Sequence, residues 1–399
     1  MRRTVLATLV VASLGCGGLT GLLYMPPELP TAPLVLSGGT LWTGDGWSEG
    51  TVVLDGERIA CVGNCDVPEG AQVLDVSGKE VVPGFVDLHV HLGVPTRDGA
   101  MGFVDLMTGR PSMRQGFLEH GVTTVRPLCD DLGYAQIMAM RVENAEWAGP
   151  RVEAVGPCFT APDGHPARGL PDHLRAGGVR TPTDEEAARA EVRALREAGF
   201  PGVKVVYDDG GSLGFERMDH DVMAAVVDEA RQGGQWVAAH IGSNEELLAV
   251  VAAGASTVEH APREVLSDEA VASMKEAGVP FVPTLAVIEA VGGEAWLAAG
   301  KESVAKARGA GVTLGVGSDT QGPDMAFGEG LVRELELMGE AGVPRDELLR
   351  SVTLGAAEVL GRDDLGRLAP EAAADVVVLV PGSWEARTVV SRGRIVVGP

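Results

Sequence analysis

Gly84-Phe85-Val86-Asp87-Leu88-His89-Val90-His91 is an apolar run that closes on two histidines one residue apart. Its length and branched apolar residues predict a short buried strand over Val86–Val90. Side chains at i and i+2 of a strand point to the same side, so His89 and His91 can face one centre. Seven runs of the same kind follow: Val122–Val125, Val152–Val155, Val203–Val206, Trp236–Ala239, Ser256–Val258, Phe281–Leu285 and Val312–Val316. Stretches of helical composition separate most of them, among them Asp184–Ala198, Asp221–Gln232, Glu245–Ala253 and Ser267–Ala277. Eight β-then-α units over roughly 270 residues predict an α/β chain closed into a parallel (β/α)8 TIM barrel. An open doubly wound sheet is the alternative, but it usually carries a Gly-rich phosphate turn, and the sequence has neither GxGxxG nor a Walker motif.

The flanks of this region read as β structure. Leu34–Leu36, Thr51–Leu54 and Val73–Val76 are β-rich runs between the turn signals Gly38-Gly39, Asp55-Gly56 and Ser77-Gly78. The other end repeats the style in Asp375–Val380, Val389-Val390 and Ile395–Val397. Neither flank alone has enough strands to enclose a core, so the two are expected to combine into one small β-sandwich. The expected division is residues 32–84 plus 363–399 for the sandwich and 85–362 for the barrel.

Residues 1–31 read as an address and a spacer. Arg2 and Arg3 precede the apolar run Thr4–Gly15, the pattern of an export signal. Cys16 allows a lipid-modified N-terminal cysteine, although Ser13 stands where a lipobox prefers Leu. Thr4–Met25 is also just long enough to be an uncleaved membrane anchor. Each of these readings places the protein in the periplasm or on the cell envelope, with Pro26–Pro33 as a stiff spacer. In an oxidising compartment Cys61 and Cys65 could pair, but separate thiols at a hairpin turn are expected. Cys129 and Cys158 are expected as small core residues.

Composition excludes several classes of function. The 399 residues carry 32 Lys and Arg against 56 Asp and Glu, a net charge of −24, which argues against nucleic acid as a partner. Aromatic residues are 4% of the chain, too few for a base-stacking surface.

In a parallel barrel, chemistry collects where strands end. Strand one ends at His89 and His91, strand four carries Lys204, strand five ends at His240, strand six at His260 and strand eight at Asp319. Four of the chain's eight histidines at strand ends, two of them alternating, point to a metal centre rather than to scattered core residues. Lys204 is the unusual member, because an unpaired ammonium inside a barrel is costly. It either pairs with Asp319 or Asp208, or is a neutral amine that has reacted with carbon dioxide. The resulting carbamate is anionic and can bridge two metals.

Gly84–His91 resembles the opening metal motif of the amidohydrolase superfamily. The likeness continues through Gly121–Arg126, Gly254–His260, Gly317-Ser318-Asp319 and Ala374-Asp375-Val376, and it is nearest to the imidazolonepropionase-like branch, which includes carbamate-bearing Xaa-Pro dipeptidases. The resemblance implies a distorted barrel with a small sandwich built from both termini. It implies that His89, His91, carbamylated Lys204, His240, His260 and Asp319 hold two divalent ions, with zinc expected. It further implies hydrolysis of an amide, peptide or cyclic amide bond by a metal-activated hydroxide, with Asp319 moving the proton from water to the leaving nitrogen.

Substrate contacts are less legible. Thr160–Arg168 follows strand three and should overhang the site, with His165 as its contact residue. Tyr207, three residues after Lys204, could bind a substrate carbonyl or pack beside the rim. Arg126 could bind a substrate carboxylate or pair with a local acid. His120 reads as structural, and His173 and His220 take no role. Loops after strands seven and eight, including Thr320–Gly330, could cover a small-molecule or short-peptide substrate. The rivals are a mononuclear deaminase or imidazolonepropionase-like hydrolase, with Glu245 and Glu246 after His240, and a non-catalytic metal-binding scaffold.

Overall fold

The computed structural model describes residues 24–398 apart from 45, 94–108, 171–174, 176 and 321–324. Residues 1–23 of the expected leader, Cys16 among them, lie outside the described residues, as do His173 and part of the Thr320–Gly330 loop. Among the described residues no helix is long and apolar enough to cross a membrane.

Strands from the two ends of the chain share one sheet, as the incomplete flanks required. β1 (Leu34–Trp42), β2 (Trp47–Asp55), β3 (Arg58–Gly63), β4 (Gln72–Asp75) and β5 (Glu80–Pro83) come from the first flank. After the intervening β/α region, the chain returns with β15 (Val376–Leu379), β16 (Ala386–Ser391) and β17 (Arg394–Val397). The order is β17-β16-β15-β5-β1-β2-β3, with β4 beside β1. The seam is antiparallel β5–β15, with Val82 opposite Val377. The two layers expected of a sandwich are thus hydrogen-bonded into one continuous eight-stranded sheet. Its alternation explains why β15 is apolar throughout. Val376 and Val378 join a cluster with Leu34, Leu36, Val52 and Leu54. Val377 and Leu379, facing the other way, join the large cluster of the β/α region. Each such side chain, fully buried, contributes roughly 1.5–3 kcal/mol.

Between the flanks the strands are parallel. β6 (Phe85–Val90), β7 (Val122–Pro127) and β8 (Arg151–Val152) form one run. β9 (Cys158–Phe159), β11 (Gly202–Val206), β12 (Trp236–His240), β13 (Thr257–Glu259) and β14 (Phe281–Val282) form the next, with β10 (Val179–Arg180) outside β9. The expected third strand, Val152–Val155, is broken in two. Gly156 turns the chain at φ +76° and Pro157 has no amide to donate, so pairing resumes only at Cys158. The seventh stops at Val282 rather than Leu285. Pro283 removes a donor, and Thr284, at φ +50°, starts the short helix Leu285–Val287. The eighth, Val312–Val316, forms a single bridge, Leu314 to Phe281, in place of a strand. Its backbone still bonds both neighbours: Phe281 donates to the Thr313 carbonyl at 2.9 Å, and Leu88 donates to the Val316 carbonyl at 3.0 Å. Hydrogen bonding therefore returns from β14 to β6. A Cβ on Gly317 would lie 2.7 Å from the His89 Cβ, so this close passage requires glycine.

The helices fall where their caps place them. Asp184, Ser243 and Ser267 accept amide hydrogen bonds at the starts of Glu185–Glu197, Asn244–Ala253 and Asp268–Ala277. Gly254 and Gly278 end the last two in the left-handed conformation.

The cysteines depart from expectation. Cys61 and Cys65 are joined by a disulfide, because Gly63 at φ +98° bends the loop enough to bring their Cα atoms within 6.0 Å. Cys129 and Cys158 are also joined. Cys129 follows β7 and Cys158 opens β9, a nearness that sequence separation hides.

Candidate metal and active site

The six expected ligands converge. His89, next to the end of β6, is 1% exposed, and Lys204 in β11 is 2% exposed. The Lys204 Nζ lies 3.5 Å from His89 Nε2. Asp319 Oδ1 lies 2.9 Å from His91 Nε2 and 3.6 Å from His89 Nε2, and Asp319 Oδ2 lies 3.7 Å from His260 Nδ1. The His240 and His260 rings meet at 4.1 Å between centroids, and those of His89 and His260 at 4.8 Å. His260 and Asp319 hold left-handed backbones, at φ +74° and +53°. Neither is glycine, so the surrounding structure holds both in a costly conformation at the strand ends.

Three of the four imidazoles are tethered through one nitrogen, which decides what the other can do. His89 Nδ1 meets Glu259 Oε2 at 2.9 Å. His240 Nε2 meets Asp208 Oδ2 at 3.2 Å, and His260 Nδ1 meets Thr284 Oγ1 at 2.8 Å. A metal-binding histidine commonly donates its second N–H in this way, which fixes ring orientation and tautomer. The remaining nitrogens are His89 Nε2, His240 Nδ1 and His260 Nε2. His260 Nε2 is buried and has no protein partner, an arrangement that an ion would satisfy. One ligand atom each from His89, His260 and Asp319 lie within 4.8 Å of one another. The donor set of imidazoles and carboxylate suits a divalent cation such as zinc.

The electrostatics follow from burial. Burial pulls the Lys204 ammonium down to about 8, against the attraction of Glu259 and Asp319, so a neutral amine is accessible near neutral pH. Burial and the Lys204 charge lower His89 to about 4. Burial, with the charges of neighbouring histidines, pushes His260 well below the ordinary histidine value. His89 and His260 are thereby kept as neutral imidazoles. Asp319 is held well below the usual carboxylate range, because the charges of His89, His91 and Lys204 outweigh its burial.

The remaining expected residues divide. His165 stands 5.4 Å from the His240 ring and 5.5 Å from Phe215, beside the cluster as the overhanging loop predicted. Burial and the His240 charge lower it to about 4. Arg126 is fully buried and pairs with a local acid: its NH2 donates to Glu259 Oε1 at 2.7 Å and its Nε to the Leu88 carbonyl at 2.6 Å. Tyr207 packs at the rim with the Arg217 guanidinium 5.1 Å from its ring centroid. An odd spacing from Lys204 turns it to the other side of the strand. Asp208 bonds Arg263 and His240 rather than Lys204. His120 Nδ1 bonds the Gly116 carbonyl at the end of its helix, and His220 is exposed beside Asp221. Glu246 caps the amides of Gly242 and Asp209 and does not face the cluster.

Sequence reading missed the supporting layer. Glu259 and Asp87 are acids inside apolar runs, a signal that each needs a buried partner. Asp87 finds one in Ser318, whose Oγ donates to Asp87 Oδ2 at 2.6 Å. Thr284 and Arg263 carry no such signal, because only the fold brings them to the histidines.

Imidazoles and a carboxylate gathered at the ends of parallel strands are the layout of a hydrolase, and the relatives of this chain make it one acting on carbon–nitrogen bonds. The profile of the amidohydrolase family matches residues 81–396, and the chain belongs to that family. It falls in the branch of the imidazolonepropionases and Xaa-Pro dipeptidases. The ochratoxinase of Aspergillus niger is 26% identical over 400 residues, spanning 86% of this chain and 80% of that one. The imidazolonepropionase of Cutibacterium acnes is 28% identical over 371 residues, spanning 84% of each. Among solved structures, a prolidase complexed with N-methylphosphonate-L-proline superposes with a TM-score of 0.78 at 27% identity, covering 92% of this chain and all (100%) of that one.

Proposed function

We propose that this protein is a binuclear metal-dependent hydrolase of amide bonds, acting on dipeptides or N-acylated amino acids, on a distorted (β/α)8 barrel. The observation that carries the reading is the convergence of His89, His91, Lys204, His240, His260 and Asp319, with His260 Nε2 buried and unpartnered. Likeness to a prolidase and to an ochratoxinase supports the substrate class.

His89, His91, Lys204 as a carbamate, His240, His260 and Asp319 would together hold the two ions. For that, the neutral Lys204 amine adds to carbon dioxide, forming an N–C bond and releasing one proton. Two divalent ions bound there would supply Lewis acidity, able to polarise a carbonyl and to lower the pKa of water to roughly 7. Asp319 stays ionised and can accept a proton from the attacking water and return it to the leaving nitrogen. His165, neutral and beside His240, is placed to hydrogen-bond the substrate. The two disulfides support export into an oxidising compartment, as does the leader.

The test is a panel of Xaa-Pro dipeptides and N-acyl amino acids with the parent and Asp319→Asn. The parent should hydrolyse members of the panel, and the variant should lose most of its turnover while keeping its fold. Near-normal rates in the variant would remove Asp319 from the mechanism, and an inert parent would refute the substrate class.

A further inference from the structure

Glu334 is a fully buried glutamate in the helix Glu329–Glu340, outside the set of expected ligands. Its Oε2 accepts from the Ala286 amide at 2.7 Å, while its Oε1 has no partner. Ala286 belongs to the short helix Leu285–Val287, whose N-cap position is Thr284. A threonine there ordinarily turns its own hydroxyl onto the second or third amide of its helix. Thr284 makes no such bond. Its Oγ1 instead meets His260 Nδ1 at 2.8 Å, and its backbone takes φ +50°, a conformation that a β-branched residue adopts only under constraint.

From this exchange of partners, we infer that Glu334 is a positioning residue for the metal centre: it takes over the cap of Leu285–Val287 and so releases the Thr284 hydroxyl to orient His260. The inference rests on the binuclear reading of the site. With Nδ1–H donating to Thr284, the His260 lone pair is fixed on Nε2, the buried atom without a partner. Without the carboxyl, the Ala286 amide is left buried and bare, and the Thr284 hydroxyl, at the N-cap position, is the group that ordinarily satisfies such an amide. Turning to that amide, it would abandon His260. A carboxamide in place of the carboxyl still offers an oxygen to the amide, so charge is not what the position requires.

The experiment is a Zn²⁺ titration of the purified full chain against a competing chelator, with metal content and thermal unfolding measured in parallel. Glu334→Ala should weaken one of the two ions about 10–100-fold, the usual scale for a lost partner behind a ligand. Glu334→Gln should stay within about 3-fold of the parent, well inside that loss. Thr284→Val should reproduce the selective loss, and adding Glu334→Ala to it should weaken the ion no further, because both act through one hydroxyl. Retention of both ions at parental affinity in Glu334→Ala would overturn the inference, as would a Gln variant as weak as Ala or additive losses in the double variant. Should Glu334→Ala fail to fold, Thr284→Val and Glu334→Gln still decide it: parental affinity in the first or selective ion loss in the second overturns it. A parent that takes up no Zn²⁺ would instead refute the binuclear reading.

Discussion

Asp208 Oδ2 lies 3.2 Å from His240 Nε2, and the NH2 of Arg263 grips the same carboxylate at 2.7 and 2.8 Å. The attraction of His240 and Arg263 outweighs burial and holds Asp208 well below the usual carboxylate range. It stays an acceptor at any pH the enzyme meets, and His240 is left to offer Nδ1. Asp208→Ala should therefore weaken one bound ion about 10–100-fold. Asp208→Asn, which keeps an acceptor on the ring, should lose less. Chelator-competition titration reads both, and parental affinity in the alanine variant would show that the tether does nothing.

Arg126 and Glu259 are both buried and paired at 2.7 Å. Removing one partner of such a pair leaves the other uncompensated, at a cost of about 3–5 kcal/mol. Arg126→Met should accordingly unfold at lower denaturant concentration. A variant of parental stability with a raised KM would restore Arg126 to the role of substrate contact.

Burial raises the Glu334 carboxyl from 4.5 to about 8, against the bonds from the amides of Ala286 and Leu285. The folded chain thus holds this proton more tightly than the unfolded chain, in which the group titrates near 4.5. Its contribution to stability is whole below about 4.5 and is lost as pH rises toward about 8. Glu334→Gln fixes the neutral form, and between pH 5 and 8 it should remove a slope of up to about 1.4 kcal/mol per pH unit. Urea unfolding across that range measures it, and equal slopes in parent and variant would contradict the assignment.

The side-chain cluster was legible because its members lie on or just beyond strands, and period-two alternation places His89 and His91 together without knowledge of packing. The supporting layer was not. Thr284 reaches His260 only because Pro283 ends a strand early, and Arg263 reaches Asp208 only across two loops. The fold shows the same division. Alternating runs gave β6, β11 and β12 nearly to the residue, but they could not show that Gly156-Pro157 would split the third strand. The Val312–Val316 run closes hydrogen bonding from β14 to β6 without forming a strand. The pairing of Cys129 with Cys158 needed the nearness of the end of β7 to the start of β9, which only a folded chain displays.

Metal content per chain, determined by elemental mass spectrometry on protein prepared with zinc and bicarbonate, tests the binuclear centre most directly. The parent should hold two equivalents. Lys204→Ala should lose metal and turnover together, and a short free carboxylic acid should restore part of both. A single equivalent in the parent, or full activity of Lys204→Ala without any added acid, would contradict the carbamate-bridged centre and leave a mononuclear hydrolase in its place.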